Sequence, residues 1–235
     1  QTEETAAFLA DEGIRALPYH AGMGKADRTA HQDVFLTEPG VVIAATIAFG
    51  MGIDKPDVRF VVHTDLPGSV EAYYQEIGRA GRDGAPADAV LLYGLDAIRM
   101  RRSFIDREEA PEDHKRRQHH RLDALIGYCE TPDCRRRTLL RYFGEDIGPC
   151  GNCDACRHPA TLKDGTIEAQ QALSAVVRTG QRYGTAHIVD VLRGSRSEKI
   201  TRAGHDALPT FGVGKAHDKE AWQSILRQLV AADYL

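Results

Sequence analysis

Four cysteines constrain this chain more than any other feature. Cys150, Cys153 and Cys156 stand two residues apart in the string CGNCDAC, and Cys134 lies upstream across fifteen residues. Short x2 spacings with glycine bring sulfurs to one point, and four thiolates suit a tetrahedral Zn2+ with bonds of about 2.3 Å. An iron–sulfur cluster accepts the same repeated C-x-x-C pattern, and His158 could replace one thiolate. Residues 144–159 therefore read as a metal-holding loop. The fifth cysteine, Cys129, sits in a helix-like apolar stretch and reads as a small core residue. With no export signal, the cysteines do not suggest a disulfide framework.

The remaining composition is that of an ordinary globular protein, with 42% hydrophobic and 27% charged residues over 235 positions. The sequence contains no run of eighteen apolar residues, so no membrane span and no membrane partner are expected, and the location expected is cytoplasmic, or nucleoid-associated in a bacterium. Residue 1 is not Met, and the chain is expected to begin inside a longer protein. The net charge of −4 hides an asymmetry. Residues 1–98 hold 7 basic and 15 acidic side chains, residues 99–159 hold 13 and 11, and residues 160–235 hold 10 and 8. The densest basic stretch, 114–141, includes Lys115, Arg116, Arg117, Arg121, Arg135, Arg136, Arg137 and Arg141 against three acids. Such a stripe either tracks a phosphate backbone or solvates a helix face.

Hydrophobic periodicity divides the chain further. Residues 1–98 alternate helical and strand patterns: helices over 2–10 with Thr2 as cap, 25–36 and 69–80, and strands over 14–19, 41–45, 58–63 and 87–93. That alternation argues for a parallel α/β sheet whose 41–45 strand is covered on both faces. Residues 99–160 read as helical, with helices over 95–107, 112–128 and 132–143, the last admitting Pro132 in its first turn. Residues 161–235 carry short helices over 167–177, 185–192, 198–203 and 219–232, in the manner of a winged helix. In the last of these Trp222, Ile225, Leu226, Leu229 and Val230 form a core face. Lys219, Gln223, Arg227 and Gln228 form the other, suited to phosphate or base edges.

The string QEIGRAGRDG, residues 75–84, places Arg79 and Arg82 three apart with Gly78 and Gly81 leaving room around them. An arginine fork fits phosphate oxygens two at a time, and two forks at helical spacing point the same way. Upstream, Thr46 follows a strand directly, and Gly50 and Gly52 permit close backbone approach at the carboxyl end of that strand, where ligands bind in open α/β sheets. Neither Gly22–Lys25 nor Gly212–Lys215 is a phosphate loop, which needs G-x-x-x-x-G-K-[ST]; Ala26 and Ala216 stand where a hydroxyl would hold Mg2+.

Taken in order, YHAGM (19–23), ATIAFGMGIDKP (45–56) and QEIGRAGRDG resemble motifs IV, V and VI of superfamily 2 helicases. Followed by a basic helical region and the four cysteines, the set is similar to the RecQ family of DNA helicases over nearly the whole chain. The resemblance implies a second RecA-like motor domain over 1–98, a helical zinc-binding subdomain over 99–160 and a winged-helix domain over 161–235, truncated before its wing. It implies that Arg82, and with it Arg79, reach the γ-phosphate of ATP. Gln75, Gly52 and Asp54 would belong to the nucleotide site, with Asp54 on the ribose. Thr46 and His20 would touch DNA, as would Arg135, Lys219 and Arg227. Zinc would sit on Cys134, Cys150, Cys153 and Cys156. ATP and Mg2+ would bind only with a first motor domain, and the whole enzyme would step 3′-to-5′ along DNA. Its partners would be single strands, duplex junctions and a single-strand-binding protein. The rivals are a DEAD-box-like RNA helicase, and a zinc and winged-helix DNA-binding module without ATPase activity of its own.

Overall fold

The computed structural model describes residues 1–46, 49, 54–232 and 234–235. The chain divides into two compact units, one comprising residues 1–63 and 73–91 and the other 64–72 and 92–235.

Residues 1–91 alternate helices and strands in the order α1 (Thr2–Asp11), β1 (Ala16–Tyr19), α2 (Lys25–Thr37), β2 (Val42–Ala45), β3 (Phe60–His63), α3 (Val70–Ile77) and β4 (Asp88–Leu91). Both strand pairings are parallel: β1 with β2, in register Ala16 to Val42, and β3 with β4, in register Phe60 to Asp88. The described residues thus form two two-stranded parallel sheets. Gln1, not Thr2, occupies the cap of α1. The 41–45 strand is not covered on both faces: β2 is half-buried along most of its length, and Phe60, Val62 and Val90 of the second pair are 42–48% exposed. The core beside the first pair centres on Phe35 and Val41, joined by Leu17, Ile43, Phe49 and Val58. Tyr19 and Phe35 each meet the Phe49 ring edge-on, at centroid distances of 4.7 and 5.5 Å, and so hold the chain where it leaves β2.

The second unit is helical. Helices α4 (Leu95–Arg107) and α5 (Glu112–Glu130) pack together, and α6 (Arg135–Tyr142) and the short α7 (Asp154–Arg157) follow. Leu122, Leu125, Ile126 and Tyr128 form the buried face of α5. Pro132 lies outside α6, because Cys134 takes the cap position instead. Then come α8 (Thr166–Arg178), α9 (Thr185–Arg193), α10 (Glu198–Arg202), a 3-10 turn (His205–Ala207) and α11 (Lys219–Ala231). Asp218 caps α11 by accepting from the Ala221 amide at 2.7 Å. The core of this last part joins Ala172 and Ala175 of α8, Ile188, Val189 and Leu192 of α9, and Trp222, Leu226 and Leu229 of α11. The Trp222 indole donates to the Gly214 carbonyl at 2.7 Å. A Cβ on Gly214 would lie 2.4 Å from the indole ring, so only glycine lets that ring close the core. Among the described residues no helix is long and apolar enough to cross a membrane.

Candidate nucleotide-facing turn and metal centre

In the first unit, α3 stops at Ile77 rather than running to residue 80. Arg79 and Arg82 therefore sit on the turn that follows, not on one helical face. Gly78 follows the last helical residue, and Gly81 shapes the turn. It adopts a left-handed φ of +66°, its amide donates to the Val58 carbonyl at 2.9 Å, and a Cβ there would press on the Ala85 carbonyl at 3.0 Å. Arg59 braces the same turn. Its guanidinium bonds Asp83 at 2.6 Å, holding that carboxyl below the usual aspartate range, and also reaches the Pro56 and Pro86 carbonyls.

Arg82 donates through Nη1 to Asp54 Oδ1 at 2.8 Å and through Nε to the Gly78 carbonyl at 3.3 Å. Asp54 is otherwise open, its side chain 84% exposed. Arg79 is half-buried and has no ion-pair partner among the described residues, and Gln75 is exposed on α3. Thr46 lies exposed just past β2, its amide donating to the Tyr19 carbonyl at 3.1 Å. The structure thus brings Asp54 to Arg82, which sequence spacing alone did not foresee. Gly52 lies outside the described residues. His20, expected at DNA, is turned to Glu3 of α1, with Nε2 3.1 Å from the carboxylate.

The four cysteines of the second unit meet. Their sulfurs lie within 4.8 Å of one another, and Cys134 Sγ is 3.9 Å from Cys153 Sγ. Sulfurs at the corners of a tetrahedral Zn–S4 centre stand about 3.8 Å apart, so the cage fits the ion. Amides line it as well. Arg135 N–H donates to Cys153 Sγ at 3.4 Å and Cys150 N–H to Cys134 Sγ at 3.2 Å. Burial pushes the Cys134 thiol up, but the Arg137 and Cys150 amides and the neighbouring thiols outweigh it and bring it down to about 6. Cys153 is lowered in the same manner, burial again being outweighed, here by the Arg135 and Cys156 amides first. Amide donors therefore favour the thiolate at Cys134 and Cys153, the form a metal takes, whereas at Cys156 the lowering by the Gly151 amide is outweighed by burial and the three neighbouring thiols, which raise it to about 11. Cys129 stands apart: burial raises its thiol to about 12, as befits a core residue.

Arg135, expected at DNA, bonds within its own subdomain. Its guanidinium forms two-pronged bonds with Asp154 at 3.0–3.1 Å and donates to the carbonyls of Tyr128, Cys129 and Thr131 at 2.9–3.0 Å. It caps the end of α5 and ties it to the metal loop, with its donors spent inside the subdomain. One sequence signal marks this brace: Arg135 and Asp154 each directly follow a cage cysteine. Arg227 is likewise turned inward, from α11 onto Glu130 of α5. Lys219, at the start of α11, is exposed. Along the basic stretch Arg137 and Arg141 share Asp146 and His119 bonds Asp106, while Arg117 and Arg136 stay exposed without an ion-pair partner among the described residues.

Comparison with known proteins matches three family models in succession: a helicase conserved C-terminal domain over residues 1–84, a RecQ zinc-binding domain over 96–157 and an RQC domain over 159–235. An ATP-dependent DNA helicase RecQ of Haemophilus influenzae is 44% identical over 98% of this chain. Its namesake in Pasteurella multocida is 43% identical over 100%, and that of Bacillus subtilis 38% identical over 94%. The chain spans 37–38% of the length of these relatives.

Proposed function

The chain belongs to the RecQ family of helicases, as their C-terminal region, and we propose that it supplies one wall of an ATP cleft and the duplex-holding part of a DNA-unwinding enzyme. The observation that carries this is the pairing of Arg82 with Asp54, which puts two of the five residues expected at the nucleotide on one exposed patch. Asp54 would turn to the ribose when nucleotide arrives. Arg82 would then be released to the γ-phosphate, where a fixed guanidinium offsets charge developing in phosphoryl transfer. Arg79 and Gln75 would line the same wall.

The cysteine cage is the zinc site of the RecQ zinc-binding domain. Cys134, Cys150, Cys153 and Cys156 would hold the ion and fold the 134–156 loop around it, a structural role, since all four positions are thiolates and none is left open. DNA would be met by Thr46, by Lys219 on the RQC domain, and by the exposed arginines Arg117 and Arg136. Arg135 and Arg227 are left out because their guanidiniums are bonded to Asp154 and to Glu130 within the fold, and His20 because its Nε2 meets Glu3.

Since the sequence holds no phosphate loop, the chain alone is expected to bind DNA and hydrolyse no ATP. The reading is tested by an ATPase assay of a longer helicase that contains this chain and a phosphate loop: turnover stimulated by single-stranded DNA supports it, and turnover indifferent to DNA contradicts it.

A further inference from the structure

Glu130 ends α5 with its side chain only 10% exposed. Two donors converge on its Oε1, the hydroxyl of Tyr93 and Nε of Arg227. The Arg227 guanidinium also lies over the Tyr93 ring, 5.9 Å from its centroid, and its other arm reaches Ser224 Oγ at 3.3 Å. The three residues come from three segments. Tyr93 lies two residues past β4, where the chain leaves the motor-like unit; Glu130 belongs to the zinc-binding subdomain; Arg227 belongs to the RQC domain. Around the cluster α5 packs on α11, closely enough that a Cβ on Gly127 would lie 3.8 Å from the Ala231 carbonyl.

Apolar helix packing tolerates rotation and sliding, because burial is non-directional. A nearly buried carboxylate does not, because losing either donor leaves a charge short of partners. The Tyr93 hydroxyl is a dependable donor here. Burial first, and Glu130 second, push its pKa far above the ordinary tyrosine value, so it keeps its proton.

We propose that Glu130 is a positioning residue: with Tyr93 and Arg227 it locks the RQC domain onto the zinc-binding subdomain in one orientation, so that DNA unwinding depends on it while ATP turnover does not. The lock serves the helicase reading above and rests on it. ATP hydrolysis moves the motor, but strands separate only if the duplex is held at a fixed angle to that motion. A hinge at α5–α11 would let the motor step without opening base pairs.

Glu130→Gln keeps the shape and removes the charge. In a longer helicase it is expected to lower base pairs opened per ATP by about tenfold while DNA-stimulated turnover stays within about twofold. Arg227→Gln should do the same. The double variant Glu130→Gln with Arg227→Gln should be no worse than either single one, the mark of one shared interaction. In the zinc-loaded 235-residue chain, each variant should speed amide exchange over 224–231 by about tenfold with zinc content unchanged. Unwinding and turnover falling together, additive single effects, or unchanged exchange would each overturn the proposal. If the wild-type longer protein neither hydrolyses ATP nor unwinds DNA, the helicase reading fails, and the exchange measurement still decides the lock.

Discussion

Arg82 is held on Asp54 at 2.8 Å, with the two side chains 40% and 84% exposed. An ion pair this open contributes about 0–1 kcal/mol. A nucleotide triphosphate, with far denser charge, would compete with Asp54 for this guanidinium.

The metal centre yields the first prediction. Protein purified without added metal should carry about one zinc by the four-thiolate rule, measured by elemental analysis, and it should lack the visible absorbance of an iron–sulfur cluster. Cys153→Ser should lose the ion and loosen residues 134–156, because the binding energy there is also folding energy. Iron in place of zinc would contradict the assignment.

Arg135→Ala separates a brace from a DNA contact. Loss of the Asp154 pair and three carbonyl bonds should cost about 1–3 kcal/mol in urea unfolding, the Asp154 share being the smaller because that carboxylate is two-thirds exposed. DNA affinity of the folded variant should stay within about twofold, as expected of a residue that touches no phosphate. Arg135 holds the Asp154 carboxyl below its usual range. The pair's stabilisation is therefore complete above the ordinary aspartate value and fades as pH falls below it, and the variant should lack that acid-side loss.

Gly214→Ala should destabilise the RQC domain by about 1–3 kcal/mol, the usual cost of overpacking, because the added methyl would meet Trp222 at 2.4 Å. Trp222 is the single tryptophan of the chain, so its fluorescence reports the transition directly. An unchanged midpoint would mean that the 212–216 turn shifts freely.

Much of this was legible in the sequence because it rests on local signals. Alternating apolar runs placed the four strands, and the cysteine spacing placed the cage. What was not legible depends on where long side chains reach. Arg135 and Arg227 stand in basic or polar-facing runs, and spacing cannot tell a guanidinium that solvates or meets phosphate from one that caps a helix or meets a buried glutamate. The expected helix through residue 80 failed for a local reason: Gly78 and Gly81 follow Ile77, and Gly81 takes a left-handed turn that its amide bond to Val58 fixes. The covered faces expected for the strand at 41–45 rested on its apolar run, and such a run reports composition without showing what lies across the sheet.

DNA binding by the 235-residue chain should weaken steeply with salt. Lys219→Ala should reduce the slope of log affinity against log salt by about 0.9, one phosphate contact. Fluorescence anisotropy across a salt series checks it. Binding that ignores salt would remove both the exposed arginines and α11 from the DNA surface.

The most direct test of the whole account is the DNA-stimulated ATPase rate of a longer helicase carrying Arg82→Ala. The account predicts a fall in turnover of about 10³-fold, the scale for losing an arginine finger, with nucleotide affinity nearly unchanged. Arg82→Lys should not restore it, since a point charge does not reproduce the planar fork. Normal turnover by Arg82→Ala would contradict the placement of this turn at the γ-phosphate.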